Sequence, residues 1–580
     1  MILRLEKGQN YFANSVNFIS LLYLNSFIFI KKQFMVSTSK HPKGLYFLAF
    51  TEFWERFGYY LMIGIFFLYM TADTNKGGFG WENAKAADMF GTFIACAYLT
   101  PFIGGLLADM KLGYRFSITL GGILMGIGYC LLSIREEWAF FTALAIMIVG
   151  NGFFKPNIST LLGNLYNDPN YKANKDTGYN IFYMSINVGA LLCNFMAAFM
   201  RNKYGWDLAF ITAGVGMFLG VITFWIGMKH YKHVDVRKEP TPEDKPIIMR
   251  FVAVLGIACG FGALGWLIPG NIVGSNLTDA FLFFLVPIVY FYYSIYKSCT
   301  EEEKKPMGTM FTIFGIVIIF WAVFKLNGTA LTTYAKSYTD REMPTVLVKP
   351  TKALYLCDNK IIAKKDSVFQ LDEHFRRIKD ANGNPIKYIG YPDYFKNLAP
   401  EKYPNEGEAL NLVPTELFQS INPFFVVVLT PLVVIFFGFL RKRKKEPTTA
   451  TKIAYGLLIS ALSTLVMVAA VYYTDNGAYK ASAWWLAGSY AVITVGELFL
   501  SPMGLSMVSK LAPLRYTALM MGGWSLATSV GNKLSGELAK NWDKFDDKSH
   551  FFLVNCLLLL IATGIMFLLL KRLNKVFKEV

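Results

Sequence analysis

Charge is scarce in this chain: Asp, Glu, Lys and Arg together make up 17% of its 580 residues, against about 25% in soluble globular domains. A soluble chain of this length would split into three or four domains and need polar surface to cover them all. Histidine is rarer still. None of His41, His230, His233, His374 and His550 lies inside an apolar run, so a membrane-embedded zinc or haem site has no donor set. The seven cysteines (Cys96, Cys130, Cys193, Cys259, Cys299, Cys357 and Cys556) are scattered without a CxxC pair, which excludes a disulfide framework or a cysteine metal site. There is no Walker loop, no HExxH and no GxSxG, so ATP-driven pumping and hydrolysis have no machinery. The chain reads as neither an enzyme nor a cofactor protein.

What the sequence does contain is long apolar runs. Hydrophobic residues make up 54% and aromatics 16% of the chain, with mean hydropathy +0.37. A helix crosses a bilayer with about 20 apolar residues. About fourteen runs of that kind follow one another: 45–72, 86–108, 116–134, 138–165, 178–200, 207–228, 249–268, 277–297, 309–335, 416–440, 451–473, 482–508, 514–537 and 549–571. The expected fold is an all-α polytopic membrane protein embedded in the lipid bilayer. Glycine clusters such as Gly121, Gly122, Gly126 and Gly128 indicate close helix packing.

The net charge of +17 would favour nucleic-acid binding in a soluble protein. Here the basic residues gather in short loops: 229–238, 297–305, 441–452 and the tail 571–578. All fall on one side of the runs. The positive-inside rule makes that side cytoplasmic, with both termini inside, and removes nucleic acid as a partner. Residues 1–34 form an extension with one short apolar run, Val16–Ile30, and no cleavage site. Met35 then opens a segment that reads like a natural start, so the extension is expected to be non-native. Residues 337–415 are polar and lie on the opposite side. Their length, the turn sequence at 382–385 and β-branched runs such as 360–363 predict a small, partly β module there.

Charges inside the apolar runs demand an explanation, since each costs about 2.5–3.5 kcal/mol at mid-bilayer. The first run carries Glu52, Glu55, Arg56, Tyr59 and Tyr60, whose spacing places them on one helix face. A stripe lining a water-filled cavity is one reading and a self-neutralising structural ion pair is the other. Further polar or aromatic candidates lie on other runs: Tyr98, Lys155, Asn187, Lys325, Asn422, Glu497 and Trp524. Acids and bases from both halves of the chain describe a cavity suited to a zwitterionic solute. An ion channel would more naturally show repeated filter segments, and none is visible.

Three motifs carry a resemblance to a known family: EFWERFGYY at 52–60, FYMSINVG at 182–189 and GELFLSPMGLS at 496–506. With them comes GGLLAD at 104–109, followed by Gly113 and Arg115. In this order and spacing they resemble the proton-dependent oligopeptide transporter (POT) family of the major facilitator superfamily, from about Lys43 to Lys571 without the loop 337–415. The resemblance implies two six-helix bundles, 43–228 and 307–580. A basic linker and an inserted helical hairpin at 229–306 would join them. It implies alternating access around a central site. Glu52, Glu55, Arg56 and Lys155 match the proton-coupling residues. Arg56 and Lys155 also match the groups that attract the peptide carboxylate. Tyr59, Tyr60, Tyr98, Trp321 and Trp524 match pocket aromatics, Asn187 and Asn422 the amides that hold the peptide, and Glu497 the acid for its amino terminus. Asp109 and Arg115 match the superfamily's gating motif.

Two positions depart from that pattern. Ile63 stands where members usually carry a second arginine, and Lys325 where they carry an acid; in many members that pair helps close the outer gate. We expect Lys325 to supply the missing cation, meeting the substrate carboxylate or Glu497, with coupling resting on Glu52 and Glu55 and on Lys155 as their counter-ion. Lys325 snorkelling away from the cavity is the alternative. The implied function is proton-driven import of di- and tripeptides across the cytoplasmic membrane by a monomer, with protons as the coupling ion. A nitrate or carboxylated-metabolite transporter of the same fold is the first rival, and a non-transporting receptor using the 337–415 module the second.

Overall fold

The computed structural model describes residues 41–235, 244–513 and 516–579. The extension 1–34 and Met35 lie outside them. Fourteen long helices are present among the described residues. The first six are α1 (Lys43–Thr71), α2 (Asn83–Leu107), α3 (Tyr114–Leu131), α4 (Glu137–Leu165), α5 (Lys175–Tyr204) and α6 (Trp206–Gly227). A hairpin of α7 (Asp244–Leu267) and α8 (Asn276–Ser298) follows. The remainder is α9 (Glu301–Phe324), two short helices α10 (Ala330–Ser337) and α11 (Thr345–Ala353), then α12 (Ile421–Lys442), α13 (Thr449–Tyr473), α14 (Ala483–Leu511), α15 (Thr517–Lys540) and α16 (Lys548–Glu579).

Among the described residues twelve spans are long and apolar enough to cross a membrane. The two long helices outside that set, α1 and α15, each carry more than one charge in their interiors, Glu52, Glu55 and Arg56 on α1 and Lys533 and Glu537 on α15. Both are embedded among the others: α1 packs on α5 and α6, and α15 on α2 and α9. α12 is the opposite case. Val426 and Phe437 are its buried residues, while Val428, Leu432, Val434, Ile435, Phe436 and Phe439 are exposed, an apolar face suited to lipid.

Local sequence sets several boundaries. Thr300 and Glu303 form a reciprocal capping box at the start of α9, and Ser275, Thr448 and Ser482 accept backbone N–H bonds at the starts of α8, α13 and α14. The apolar run 309–335, expected to be one helix, is interrupted. α9 stops at Phe324, a tight 3₁₀ turn covers Lys325–Gly328, and α10 resumes at Ala330. The ring of Phe90 lies where a Cβ on Gly328 would stand, 2.2 Å away, so the break lets α2 press into this gap.

Within the first half α3 packs on α4 and α6, and α2 on α4; within the second α13 packs on α14 and α16, and α9 on α15 and α16. The halves meet chiefly through α2 with α15 and α5 with α12. At the first seam Gly91 and Gly536 touch backbone to backbone, leaving 2.7 Å between a Cβ on Gly91 and the Gly536 Cα. Beside them Asp88 and Lys533 form a buried ion pair, and Lys533 Nζ also donates to Thr92 Oγ1 at 2.8 Å. Thr278 of α8 donates toward Asp88 and Glu537, tying the hairpin to the seam.

The helices define two ends, one bearing the basic loops and the other the segment 339–420. That segment contains α11, an antiparallel pair β2 (Asp366–Phe369) with β3 (Lys387–Gly390), and a small core of Ala363, Tyr394, Phe395, Leu398 and Leu412. Gly383, at φ +83°, turns the chain between the strands. Another strand, β1 (Thr339–Asp340), pairs with β4 (Ala481–Ser482), fixing the segment to the second half. Arg377 donates to Gly80 O at 2.6 Å and Thr71 O at 3.0 Å, and Lys387 pairs with Asp73 at 2.8 Å, fixing it to the first.

The buried pair at the α2–α15 seam yields a stability prediction. Lys533→Met strands the Asp88 carboxylate and is expected to cost about 3–5 kcal/mol, whereas Asp88→Leu with Lys533→Met together restores most of it. Thermal unfolding of the purified protein in detergent checks this, and equal losses in single and double variants would refute it.

Candidate functional site

Helices of both halves bring candidate residues toward the seam between them. On α1, Glu52, Glu55, Arg56 and Tyr59 are all buried. Arg56 is held by its own helix. Its Nε and Nη2 bond the two carboxylate oxygens of Glu55, the second at 2.7 Å, and its Nε lies 3.3 Å from Glu52 Oε1 one turn back. The guanidinium also lies 5.3 Å from the Tyr59 ring centroid, and Tyr59 meets Tyr60 edge-on at 5.3 Å. Glu52 Oε2, by contrast, is buried and has no hydrogen-bond donor.

Lys155 on α4 and Tyr98 on α2 meet because those helices approach very closely. A Cβ on Gly104 would lie 2.1 Å from Gly152 O, and Asn151 and Thr100 bond across the contact to Ala97 O and Ile148 O at 2.5 and 2.8 Å. Lys155 Nζ sits over the Tyr98 ring, 4.1 Å from its centroid. Lys325, at the break after α9, reaches the same ring from the other half of the chain, at 5.6 Å. Lys325 therefore turns into the seam instead of snorkelling away. Among the described residues neither ammonium has a carboxylate within 4.0 Å.

This arrangement corrects one expectation and narrows another to its remaining partner, the substrate carboxylate. The counter-ion of Glu52 and Glu55 is Arg56, not Lys155: the i,i+4 spacing and the reach of the guanidinium satisfy the acids within α1. Lys325 makes no ion pair with Glu497. Glu497, on α14, accepts from Asn422 Nδ2 at 3.1 Å, and the same amide donates to Thr494 Oγ1 at 2.8 Å. No cation lies within 4.0 Å of Glu497 among the described residues.

The other candidates divide. Trp524 packs edge-on against Phe314, with centroids 6.0 Å apart, and occupies the space a Cβ on Gly504 would need. Trp321 is buried beside Phe320 and Phe324 with an unbonded indole nitrogen. Asn187 spends its amide on Tyr183 O of its own helix at 2.9 Å, and no cross-helix bond brings it to the seam. Arg115 pairs with Asp235 at 2.6 Å, a residue with no sequence signal beyond lying in a basic linker; the side chain of Asp109 lies outside the described residues. Thr494 and the Asp88–Lys533 pair were likewise missed. An aspartate near a helix start and a lysine on a distant run carry no shared spacing that could have joined them.

The profile of the POT family matches residues 115–354 and 408–554. The chain belongs to the POT family. Among its relatives, the di-/tripeptide transporter of Lactococcus lactis subsp. cremoris is 28% identical over 542 residues, covering 92% of this chain and 95% of the relative. Dipeptide and tripeptide permease A of Escherichia coli (strain K12) is 26% identical over 508 residues, covering 86% and 84%. The crystal structure of a peptide transporter POT in complex with sulfate superposes with a TM-score of 0.71 at 28% identity, covering 93% of this chain and 96% of that one. The POT-family match spans both sides of the segment 355–407 and leaves that segment out.

The unequal bonding of the two acids on α1 of this POT-family chain makes a prediction. Glu55→Gln is expected to destabilise by roughly 3 kcal/mol or more, because it unpairs the buried Arg56. Glu52→Gln, removing a carboxyl with one bare oxygen, is expected to be close to neutral. Melting temperatures of the two purified variants decide it; the reverse order would overturn the assignment of Arg56 to Glu55.

Proposed function

We propose that this chain is a proton-coupled symporter that imports di- and tripeptides across the cytoplasmic membrane by alternating access, working as a monomer. The bundles 43–228 and 307–580 rock against each other, with 229–306 as linker and hairpin. The basic-loop end, with both termini, is cytoplasmic, and the 339–420 segment is outside.

The observation that carries this reading is the separation of unpaired charge at the seam. Lys155 and Lys325 flank Tyr98 without a carboxylate partner, while Glu497 is held by an amide and no cation. A zwitterion satisfies both: its carboxylate at the ammonium pair, its amino group at Glu497. Aromatic walls such as Tyr60 and Trp524 tolerate varied side chains between them. The names of the relatives, di-/tripeptide transporter and dipeptide and tripeptide permease, support the same substrate class.

Coupling follows from charge balance. Arg56, Lys155 and Lys325 face Glu52, Glu55 and Glu497, three of each sign. Glu52 is the carboxyl we assign to the proton, because its Oε2 has no donor whereas Arg56 holds both oxygens of Glu55. Protonating it leaves the site one charge positive, which draws in the peptide carboxylate. That carboxylate competes for Arg56 and the lysines, so proton and peptide stabilise each other's binding. Each proton moved inward supplies about 2.3 kcal/mol per 100 mV and about 1.4 kcal/mol per pH unit. One or two are enough to accumulate a dipeptide.

A second reading has one observation in its favour. Lys325 adds an ammonium to Lys155, and two cations sharing one ring would also suit nitrate or a carboxylated metabolite. Glu497 weighs against it, having no use for a substrate without an amine.

In proteoliposomes with an inward proton gradient, dialanine is expected to accumulate and an uncoupler to abolish the accumulation. Gradient-driven nitrate uptake with no dialanine uptake would overturn the peptide reading. In the same assay Lys325→Gln is expected to raise the dialanine KM at least about ten-fold, the worth of one charged hydrogen bond. An unchanged KM would remove Lys325 from the site.

A further inference from the structure

Above the outer ends of the bundles, the 339–420 segment roofs a chamber of about 230 Å³. Its walls come from three sources. α1 and the start of α2 in the first bundle contribute Thr71 and Asn83, with Glu82 just before α2; α10 and the turn before α16 of the second contribute Lys336 and Asp543, and the segment itself contributes Phe375, Arg377 and Asp393. The volume is below the roughly 300–1,000 Å³ of drug-sized pockets and suits an amino acid or a dipeptide.

Its charges are of two kinds. Some are already neutralised: Lys379 pairs with Glu82 at 2.7 Å, and Arg376 with Asp372 and Asp546 at 2.5 and 2.7 Å. Others are not. Among the described residues Lys336 has neither a carboxylate within 4.0 Å nor a hydrogen-bond acceptor. The Arg377 guanidinium is bound only to the carbonyls of Gly80 and Thr71 and stacked on Phe369. Asp393 and Asp543 line the same space with no cation within 4.0 Å among the described residues, and Asp543 is hydrogen-bonded to Asn83. Lys336 and Asp393, neither with an oppositely charged group within 4.0 Å among the described residues, thus face one small chamber together with Arg377, which two carbonyls hold, and Asp543, which Asn83 holds; its other walls are mixed, with Phe375 and Trp542 beside Thr71, Thr333 and Ser337. Unpaired charge in such a space is costly unless a ligand or water compensates it.

We propose that this chamber is a second binding site for a small zwitterion, taking its carboxylate at Lys336 and Arg377 and its ammonium at Asp393 and Asp543. The proposal rests on the peptide-transport reading for the identity of the ligand, a short peptide outside the cell. Because both bundles and the roofing segment build the walls, the chamber exists only while the outer ends are together. A ligand that binds one conformation alone shifts the population toward it. Peptide held in the chamber therefore keeps the outer gate shut, and uptake slows at high external peptide.

The test uses the full chain in detergent and radiolabelled dialanine at equilibrium. Wild type is expected to bind two molecules per chain. Lys336→Met with Asp393→Asn is expected to lose one and keep the other, and Glu497→Gln is expected to lose the other one. The site that survives in each variant also reports that the variant is folded. A single wild-type site that survives Lys336→Met with Asp393→Asn overturns the chamber and leaves the central site standing. A single site that survives Glu497→Gln but not the chamber substitutions supports the chamber and removes the peptide from the central site. No binding to wild type overturns both. In proteoliposomes, wild-type uptake is expected to pass through a maximum and fall at least two-fold as external dialanine rises, whereas the chamber variant rises to a plateau. A wild-type curve that only saturates overturns the gate-holding role.

Discussion

Arg56 lies buried between Glu55 and Glu52, and the rest of the site follows from that arrangement. A guanidinium taken out of water needs carboxylates around it, and α1 supplies both from its own sequence within one turn. With those acids occupied, Lys155 has no partner on α1 and turns to the face of Tyr98. Lys325 comes to the same ring from across the seam. The positive groups left over are thus gathered at one place and the acid left over, Glu497, at another. Uncompensated charge of that pattern is expensive in an apolar interior, and a molecule bearing both signs relieves it.

The same logic operates at the seam between α2 and α15, with the opposite outcome. Asp88, Lys533, Glu537 and Thr278 satisfy one another, and the backbones touch at Gly91 and Gly536. A closed network of this kind holds two helices together instead of recruiting a ligand. It lies toward the end that carries the 339–420 segment, on the side where Asn194 bonds Ser420 at 3.0 Å and Gln419 reaches Gly64 O at 3.3 Å across the halves. The two halves are thus bonded to each other at the end that carries the 339–420 segment. The closure uses none of the Arg/acid pair that Ile63 and Lys325 replace.

The segment 339–420 adds a layer that the helices alone would not have. It is bonded to both halves, through Arg377 and Lys387 on one side and through Arg376 and the β1–β4 pairing on the other. Any rocking of the bundles must break one of these sets. Surface ion pairs are individually weak, about 0–1 kcal/mol each, so the strap is compatible with a moving carrier while still biasing it toward closure.

Long apolar runs, basic loops on one side and three motifs at fixed spacing were enough to establish a polytopic helical protein and its family, since hydropathy and local spacing are properties of contiguous sequence. The stripe on α1 was legible for the same reason: residues three and four apart share a helix face. Which ions pair was not legible. Lys155 was expected as the counter-ion of Glu52 and Glu55, and nothing in the spacing told whether Lys325 would meet Glu497, because pairing depends on distances between helices far apart in the chain. The helix break at Lys325, the Asp88–Lys533 contact and the chamber under the outer segment are of this second kind. Each arises where two or three elements approach, at a separation set by glycine contacts and ring packing, and no spacing within one segment encodes it.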